Sequence, residues 1–223
     1  MGKPAPAAAS RRLTDPRQHE LARIALHIVG NRGFVLGGGH AVALHGMGSR
    51  PSEDVDLFSD IRGTPDAVAD DVITAFEGAG LSVDVVRRTP DLVQMTVTFA
   101  DGHAGKVDLG VFWRARSPVI LEVGPVLHPD DTVAGKMDAL FNRWAPRDYL
   151  DIDTILVSTR YTQEQLLTIA AEHNPGFDRS MFAESLSYLR RIPDRDFIPY
   201  EVTTDTIAAM RQRFADWEQQ LTA

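Results

Sequence analysis

The sequence has no cysteine, no long apolar run and no excess of positive charge. Without cysteine there can be no disulfide framework and no zinc site built on thiolates. No run of apolar residues approaches the roughly 18 needed to cross a bilayer, so the sequence predicts no membrane-spanning segment. A formal net charge of −8 argues against indiscriminate coating of nucleic acid. We therefore expect a cytoplasmic protein that does not associate with a membrane.

The composition that is present is that of an ordinary globular protein. Of 223 residues, 43% are hydrophobic and 24% are charged, which excludes a disordered, collagen-like or coiled-coil chain. The Pro/Ala-rich start lacks the pattern of a secretion signal, and residues 1–14 are predicted to form a flexible tail.

Hydrophobic periodicity divides the remaining chain into two parts. Residues 15–127 mix helical and strand patterns, whereas residues 128–223 show helical patterns throughout. Gly124, Pro125 and Pro129 mark the boundary. The predicted strands fall near 34–36, 54–59, 81–88, 92–99 and 106–112. The sequence therefore predicts an α+β fold, in which a mixed sheet flanked by helices is followed by a C-terminal helical bundle.

A glycine turn and a pair of aspartates form the most informative stretch. A predicted strand ends at Leu36, and Gly37-Gly38-Gly39-His40 then opens a short helix. Glycine lets backbone N–H groups approach an anion closely, and a helix N-terminus favours negative charge, so this turn is typical of a phosphate site. Asp54 and Asp56 lie two apart on a predicted strand, which directs both carboxylates to one face. Adjacent carboxylates repel each other unless a cation lies between them, and oxygen ligands suit Mg²⁺ or Mn²⁺.

The spacing of these aspartates is not diagnostic by itself, because Asp-x-Asp occurs three times in the sequence. The other two pairs are Asp151 with Asp153 and Asp194 with Asp196. The former pair falls in a predicted helix, where a spacing of two separates the faces. The latter falls in a proline-bounded loop. Only the first pair lies on a predicted strand that follows a phosphate-type turn.

A third carboxylate, Asp108, lies inside the apolar strand predicted at 106–112. A charge in such a strand is costly unless it is paired or bound to metal. If this strand lies beside the one that carries Asp54 and Asp56, three carboxylates converge and can support two metal ions in a nucleotidyl displacement. The alternative is an edge strand with Asp108 facing water.

The helical part contributes a set of basic residues. Lys136, Arg143 and Arg147 recur at near-helical spacing and could share one face, where they would hold a triphosphate. The alternative is a solvated basic stripe. Charge alone suggests that an RNA backbone follows basic residues near the start of the chain, namely Arg11, Arg12 and Arg17.

In combination, these residues resemble a known pattern. The stretch from Gly38-Gly39 to Phe58 resembles the first motif of nucleotidyltransferases with the DNA-polymerase-β-type fold. The run from Lys136 through Arg147-Asp148 to Asp151 resembles the AbiEii/AbiGii branch, the nucleotidyltransferase toxins of toxin–antitoxin and abortive-infection systems. The resemblance covers roughly residues 34–155.

The resemblance implies a nucleotidyltransferase core at 15–127 and a helical C-terminal domain at 128–223. It implies transfer of a nucleoside monophosphate from an NTP to an RNA acceptor, the 3′ end of tRNA, and a cognate antitoxin as partner. It implies Asp54 and Asp56 as catalytic metal ligands for Mg²⁺ or Mn²⁺, Lys136 and Asp148 as further catalytic residues, and Ser52 and Arg147 as contacts to the nucleotide phosphates. The residues themselves add Asp108 as a third catalytic metal ligand, and Gly38, Gly39 and His40 of the glycine turn as further phosphate contacts. His40 departs from the family pattern, because relatives often carry Thr or Ser there, and the third carboxylate varies in this branch.

Other functions remain open on the sequence alone. A dinucleotide-binding fold would need a third glycine where the chain has Val42, and a P-loop would need a Gly-Lys-Ser/Thr that does not follow the glycines. A nucleotidyltransferase acting on a small-molecule or protein hydroxyl is an alternative. So is a non-catalytic nucleotide-binding module, because fold does not determine function.

Overall fold

The structure is a computed structural model that describes Leu13 and residues 15–48, 50–52 and 54–222. The predicted flexible tail therefore lies outside the described residues, apart from Leu13, which is buried. Arg11 and Arg12, the first two residues of the suggested RNA path, also lie outside them.

The described elements follow one another along the chain. They are α1 (Pro16–Val29), β1 (Val35–Leu36), α2 (Gly38–Leu44), β2 (Asp54–Ser59), α3 (Thr64–Gly78), β3 (Ser82–Thr89), β4 (Leu92–Thr98), β5 (Ala104–Val111), β6 (Val119–Leu121), β7 (Gly124–Val126), α4 (Pro129–Arg143), α5 (Pro146–Val157), α6 (Gln163–His173), α7 (Arg179–Tyr188) and α8 (Thr204–Thr222). Short 3₁₀ turns lie at Gly30–Arg32, Leu189–Arg191 and Asp194–Tyr200.

The described part of the chain divides into two compact units that interleave in sequence. Unit 1 comprises the described residues up to Leu36, those between 53 and 112, and Pro118–Val126. Unit 2 comprises the described residues of Gly37–Ser52, Trp113–Ser117 and those from Leu127 onward. Two segments from the first 127 residues, including α2, thus belong with the C-terminal helices.

Unit 1 is built on a sheet that contains every described strand, in the order β3-β4-β5-β2-β1-β7-β6. The β2–β5 and β1–β7 pairs are parallel, and the other pairs are antiparallel, so the sheet is mixed. The predicted strand at 54–59 coincides with β2, at the centre of the sheet. The mixed sheet expected from the sequence is confirmed.

One face of this sheet is covered by α1 and α3. Alternate residues of the central strands, such as Val55, Leu57, Val107 and Leu109, are fully buried on that face. Each such side chain stabilises the fold by roughly 1.5–3 kcal/mol. Because side chains alternate along a strand, the residues between them are directed to the opposite face.

Local signals explain where α1 begins. The carboxylate of Asp15 accepts a hydrogen bond from the backbone N–H of Arg17 at 2.8 Å, and Pro16 occupies the first turn. Both features favour helix initiation. The helix buries Leu21, Ala25 and their neighbours, which are the positions that the helical period predicted.

Strands β6 and β7 were not predicted. Gly124 and Pro125 were interpreted as a domain boundary, yet both lie in β7, which pairs with β6 and with β1. The structure shows why the glycine is needed, since its φ is +127°, a conformation that L side chains rarely adopt. A three-residue strand that contains proline gives no recognisable alternation.

Unit 2 is helical and has one hydrophobic core. The sequence predicts Thr162 as an N-cap with Gln165 as its box partner, and Asp178 as the next N-cap. Both are present: Thr162 and Gln165 form a capping box on α6, and Asp178 accepts from two backbone N–H groups of α7. Trp217 of α8 lies at the centre with Phe182 and Phe214 around it. The helical C-terminal part expected from the sequence is confirmed. None of the helices in the described residues is both long and apolar enough to cross a membrane.

Candidate active site

Three aspartates lie on the face of the sheet opposite α1 and α3. Burial alternates along β2: Asp54 and Asp56 are partly exposed, whereas Val55 and Leu57 are buried. The two carboxylates therefore share one face of the strand. Asp108 on β5 is directly opposite Asp56 in the parallel register. The predicted adjacency of these two strands is confirmed, and Asp108 does not lie on an edge strand.

Two further side chains on this face contact the acids. Gln94 of β4 is opposite Asp108, and its Nε2 donates to Asp108 Oδ2 at 2.8 Å. Lys106 of β5 is opposite Asp54, with Nζ 3.8 Å from Oδ1. Because Lys106 is largely exposed, this ion pair is screened by solvent and weak. Gln94 therefore fixes the orientation of Asp108, whereas Asp54 is only loosely paired with Lys106.

The carboxylates on this face meet some of the requirements of a divalent-cation site. Among the described residues, no three His, Asp or Glu side chains are close enough together to hold one ion. Glu53 lies outside the described residues. Carboxylates are nevertheless the ligands that Mg²⁺ prefers, and Mg²⁺ is often held by one or two carboxylates together with substrate phosphates. Asp54 and Asp56 fit that mode, and Asp108 as a third ligand stays a prediction.

The glycine turn of unit 2 brings its backbone against the segment that follows α2. Gly38 has a φ of +59°, which favours glycine. A Cβ on Gly39 would lie 2.8 Å from Ser52 Oγ and 3.3 Å from Arg50 Nη2, so a larger residue here would require these side chains to move. The structure thus brings together Gly39 and Ser52, two of the predicted phosphate contacts. His40 is buried in α2, and its contact to phosphate stays a prediction.

Lys136 and Arg50 share one carboxylate in unit 2. Lys136 Nζ lies 2.8 Å from Asp151 Oδ2. Arg50 forms a two-pronged contact, with Nε 2.6 Å from Asp151 Oδ1 and Nη2 2.9 Å from Oδ2. Lys136 is therefore held close to Arg50, which follows the glycine turn in the chain.

The basic residues do not form the single face that their spacing suggested. Helix α4 ends at Arg143, and Trp144 follows with a φ of +60°, so Arg147 belongs to the next helix. Arg143 contacts Asp148, whereas Lys136 contacts Asp151. The reason is the helix break between Arg143 and Arg147: the sequence predicts one helix over 130–144 and a new one from Pro146, and the shared-face interpretation did not take that break into account.

Asp148 is fully buried at the start of α5. Its Oδ2 accepts from the backbone N–H of Ala145 at 3.0 Å and from Arg143 Nε at 3.0 Å, and Oδ1 accepts from Arg143 Nη2. These contacts give the carboxylate a structural task at the helix N-terminus. Its predicted catalytic role is untested. Arg147, in the same turn, is partly exposed.

The third residue of the suggested RNA path, Arg17, is engaged within unit 1. Its guanidinium forms an ion pair with Asp101 and lies over the ring of Phe99, 5.9 Å from the centroid. These contacts cover part of the charge that was expected to meet a phosphate backbone.

Five side chains that contact the predicted residues or one another were not predicted as site residues: Gln94, Lys106, Arg50, Asp151 and Tyr200. Asp151 was set aside because its spacing from Asp153 separates them on a helix, and the structure confirms that separation: Asp153 instead binds Arg213 of α8. Only the resemblance to the AbiEii run pointed to Asp151. Tyr200, whose ring lies 5.7 Å from the guanidinium carbon of Arg50, carried no local signal at all.

Solved structures share this fold. A candidate nucleotidyltransferase from Helicobacter pylori is 15% identical with a TM-score of 0.58, covering 92% of this chain and 95% of that one. JHP933 from Helicobacter pylori is 16% identical with a TM-score of 0.54, covering 92% of each chain. MenT4, a nucleotidyltransferase toxin from Mycobacterium tuberculosis, is 19% identical with a TM-score of 0.59, and the match covers 93% of this chain and 87% of MenT4. The shared fold is that of the nucleotidyltransferases.

A family model identifies the family within this fold. The model of the AbiEii nucleotidyl transferase toxin of type IV toxin–antitoxin systems matches residues 21–222. The chain therefore belongs to the AbiEii nucleotidyltransferase toxin family and is a nucleotidyltransferase. Membership implies an NTP substrate and an antitoxin partner, and nucleotidyltransferases generally use a divalent metal. No sequence among curated proteins matches the chain.

Proposed function

We propose that this protein transfers a nucleoside monophosphate from an NTP to the 3′ hydroxyl of an RNA, the 3′ end of tRNA, in the cytoplasm, with Mg²⁺ or Mn²⁺ as cofactor. The observation that carries the proposal is the arrangement of carboxylates on the sheet. Asp54 and Asp56 share a face of the central strand, with Asp108 in register beside Asp56. Such an arrangement suits a displacement at phosphorus.

In the proposed reaction, the RNA 3′ oxygen forms a bond to the α-phosphorus, the bond to the β-phosphate oxygen breaks, and pyrophosphate leaves. Asp54 and Asp56 would hold the divalent ion, which when bound neutralises charge on the phosphates and favours ionisation of the hydroxyl. Asp108 would accept the hydroxyl proton. Gln94 orients Asp108 for this task through its 2.8 Å hydrogen bond to Oδ2.

The helical unit supplies the groups for the triphosphate. Lys136 would pair with the phosphate charge, and Ser52 with the backbone at Gly38 and Gly39 would donate hydrogen bonds. Because α2 has only seven residues, the helix dipole contributes less here than the direct donors do. Arg147 and His40 complete the proposed set of phosphate contacts.

The choice of RNA as acceptor depends on the resemblance to AbiEii-type toxins, whose characterised relatives modify tRNA. MenT4 is likewise described as a nucleotidyltransferase toxin. A tRNA left with an extra 3′ nucleotide could not be aminoacylated, which would explain toxicity.

The test is to incubate the protein with total tRNA, Mg²⁺ and each α-labelled NTP in turn. We expect label on tRNA, and periodate oxidation of the tRNA 3′ end beforehand should abolish the labelling. Label on a small molecule or on protein would assign a different acceptor hydroxyl. NTP binding without transfer to any acceptor in a cell extract would make the protein a binding module.

A further inference from the structure

Arg50, Asp151 and Lys136 form an ion group within unit 2 that is almost closed to solvent. The side chains are 11%, 2% and 13% exposed, respectively. Both cations contact the same carboxylate, at distances between 2.6 and 2.9 Å. The three residues come from the segment after α2, from α5 and from α4, so the group is assembled by tertiary structure.

The charges of this group do not balance. Within the group, two cations share one carboxylate; the next acid that acts electrostatically on Arg50 is Asp148, whose own ion pair is with Arg143. Burial works to raise the pKa of Asp151, but the charge of Lys136 and the hydrogen bond from Arg50 outweigh it and lower that pKa. Asp151 is therefore ionised at neutral pH. A buried excess charge is costly unless a counter-ion is supplied, and a phosphate can supply it.

Arg50 is held on a second side by Tyr200. The guanidinium carbon lies 5.7 Å from the centre of the Tyr200 ring, within range of a cation–π interaction. Asp151 contacts the edge of the guanidinium, at Nε and Nη2. The close approach of Gly39 to Arg50 Nη2 and Ser52 Oγ places this cation beside the residues proposed to bind phosphate.

We propose that Asp151 and Tyr200 are positioning residues, which hold Arg50 and Lys136 together as a two-cation site for the triphosphate of the NTP. Asp151 is the counter-ion of this site before nucleotide binds, and it shares the cations with the phosphates afterwards. The inference rests on the proposed function, because it deepens the NTP site, and it adds Arg50 to the groups that bind phosphate.

The rival explanation is an ion pair that only stabilises the helices. The same helix provides a matched control. Asp153 is two residues from Asp151, is equally buried, and forms a two-pronged contact with Arg213 at 2.8 Å through both oxygens. That pair is one-to-one and electrically neutral. A purely structural role predicts that Asp151→Asn and Asp153→Asn behave alike.

The experiment measures binding of inorganic tripolyphosphate to the full chain in EDTA, by calorimetry and by thermal unfolding. Asp151→Asn removes the negative charge that Arg50 and Lys136 share, so both cations can then pair with tripolyphosphate. We expect Asp151→Asn to lower the melting temperature without anion and to bind tripolyphosphate roughly tenfold more tightly than wild type. Nucleotide transfer by the same variant should fall by about 100-fold, because the triphosphate, although bound more tightly, is no longer held in the geometry that the reaction needs.

The control variant Asp153→Asn should also lower the melting temperature but leave tripolyphosphate affinity within about twofold of wild type. An Asp151→Asn protein that is folded and binds tripolyphosphate as wild type does, or more weakly, overturns the proposal. This measurement needs neither RNA nor nucleotide transfer. It can therefore support the two-cation site even if tRNA is not the acceptor, and it can contradict that site even if tRNA is the acceptor.

Tyr200 gives a second measurement, which decides the matter if Asp151→Asn does not fold. Tyr200→Leu should weaken tripolyphosphate binding and raise the KM for NTP by roughly fivefold, with little change in kcat. Tyr200→Phe keeps the ring and should restore both values. Unchanged binding in Tyr200→Leu, or an equal loss in Tyr200→Phe, contradicts the positioning role.

Discussion

At the scale of single residues, burial separates aspartates that look alike in the sequence. Asp56 is partly exposed and in register with Asp108, so it can meet a ligand. Asp148 is fully buried and occupied by Arg143 and the Ala145 amide. A carboxylate whose oxygens already accept hydrogen bonds at a helix N-terminus contributes mainly to the free energy of unfolding.

Asp148→Asn should therefore destabilise the protein by about 2–3 kcal/mol, because a buried partner of Arg143 loses its charge. The measurement is urea unfolding, followed by circular dichroism. Asp178→Asn is the matched control: Asp178 is an exposed N-cap of α7, where asparagine caps about as well, so the change should stay below about 0.5 kcal/mol. An Asp148→Asn protein of wild-type stability that lost transfer would instead support the predicted catalytic role.

The sequence could identify Asp54 and Asp56 because the alternation of a strand is local. It could not identify the role of Asp151, since the partner Arg50 is 101 positions away and lies in another element. Helical spacing describes only which face of its own helix a residue occupies. What that face meets depends on packing, which periodicity does not report.

At the scale of elements, local signals predicted most of what is found. Strand β2 and the caps of α6 and α7 follow from alternation and from short-range hydrogen bonding, and they appear where expected. The basic stripe failed because α4 ends at Arg143 and a new helix starts at Pro146, as the proline indicates, so Lys136 and Arg147 belong to different helices. Elements of two or three residues, such as β6, have too little pattern to predict.

Gly39→Ala tests the turn before α2 as an element that approaches Ser52 and Arg50. The new Cβ would lie 2.8 Å from Ser52 Oγ, so the segment after α2 must shift. We expect the KM for NTP to rise by about tenfold in steady-state transfer assays, with the melting temperature little changed. Gly78→Ala, at the end of α3 with open space around its Cβ, is the control and should match wild type. A Gly39→Ala enzyme with an unchanged KM would remove this turn from the nucleotide site.

At the scale of the whole molecule, the chain alternates between two compact units. The aspartates belong to unit 1, whereas the glycine turn, Arg50, Lys136 and Asp151 belong to unit 2. The chain enters unit 2 with α2, returns to unit 1 with β2, leaves after β5, returns once more for β6 and β7, and stays in unit 2 from Leu127 onward. A single boundary read from composition does not reveal this interleaving, because α2 looks like part of the sheet region until its packing is seen.

The fold persists where sequence identity is low. Structures only 15–19% identical still match over about nine-tenths of this chain. A fold tolerates extensive substitution as long as the pattern of buried apolar positions and their total volume are kept. Individual contacts such as Tyr200 with Arg50 must therefore be tested in this protein and not assumed from relatives.

The most direct measurement is the initial rate of label transfer from α-labelled NTP to tRNA for Asp54→Asn, Asp56→Asn and, as control, Asp84→Asn on the exposed edge strand β3. Wild type and the control should transfer equally. Asp54→Asn and Asp56→Asn should each lose at least about 1,000-fold while keeping the wild-type melting temperature, because they lose charge at the reacting phosphate and not packing. Transfer by Asp56→Asn within tenfold of wild type would contradict the assignment of the reaction to this face of the sheet.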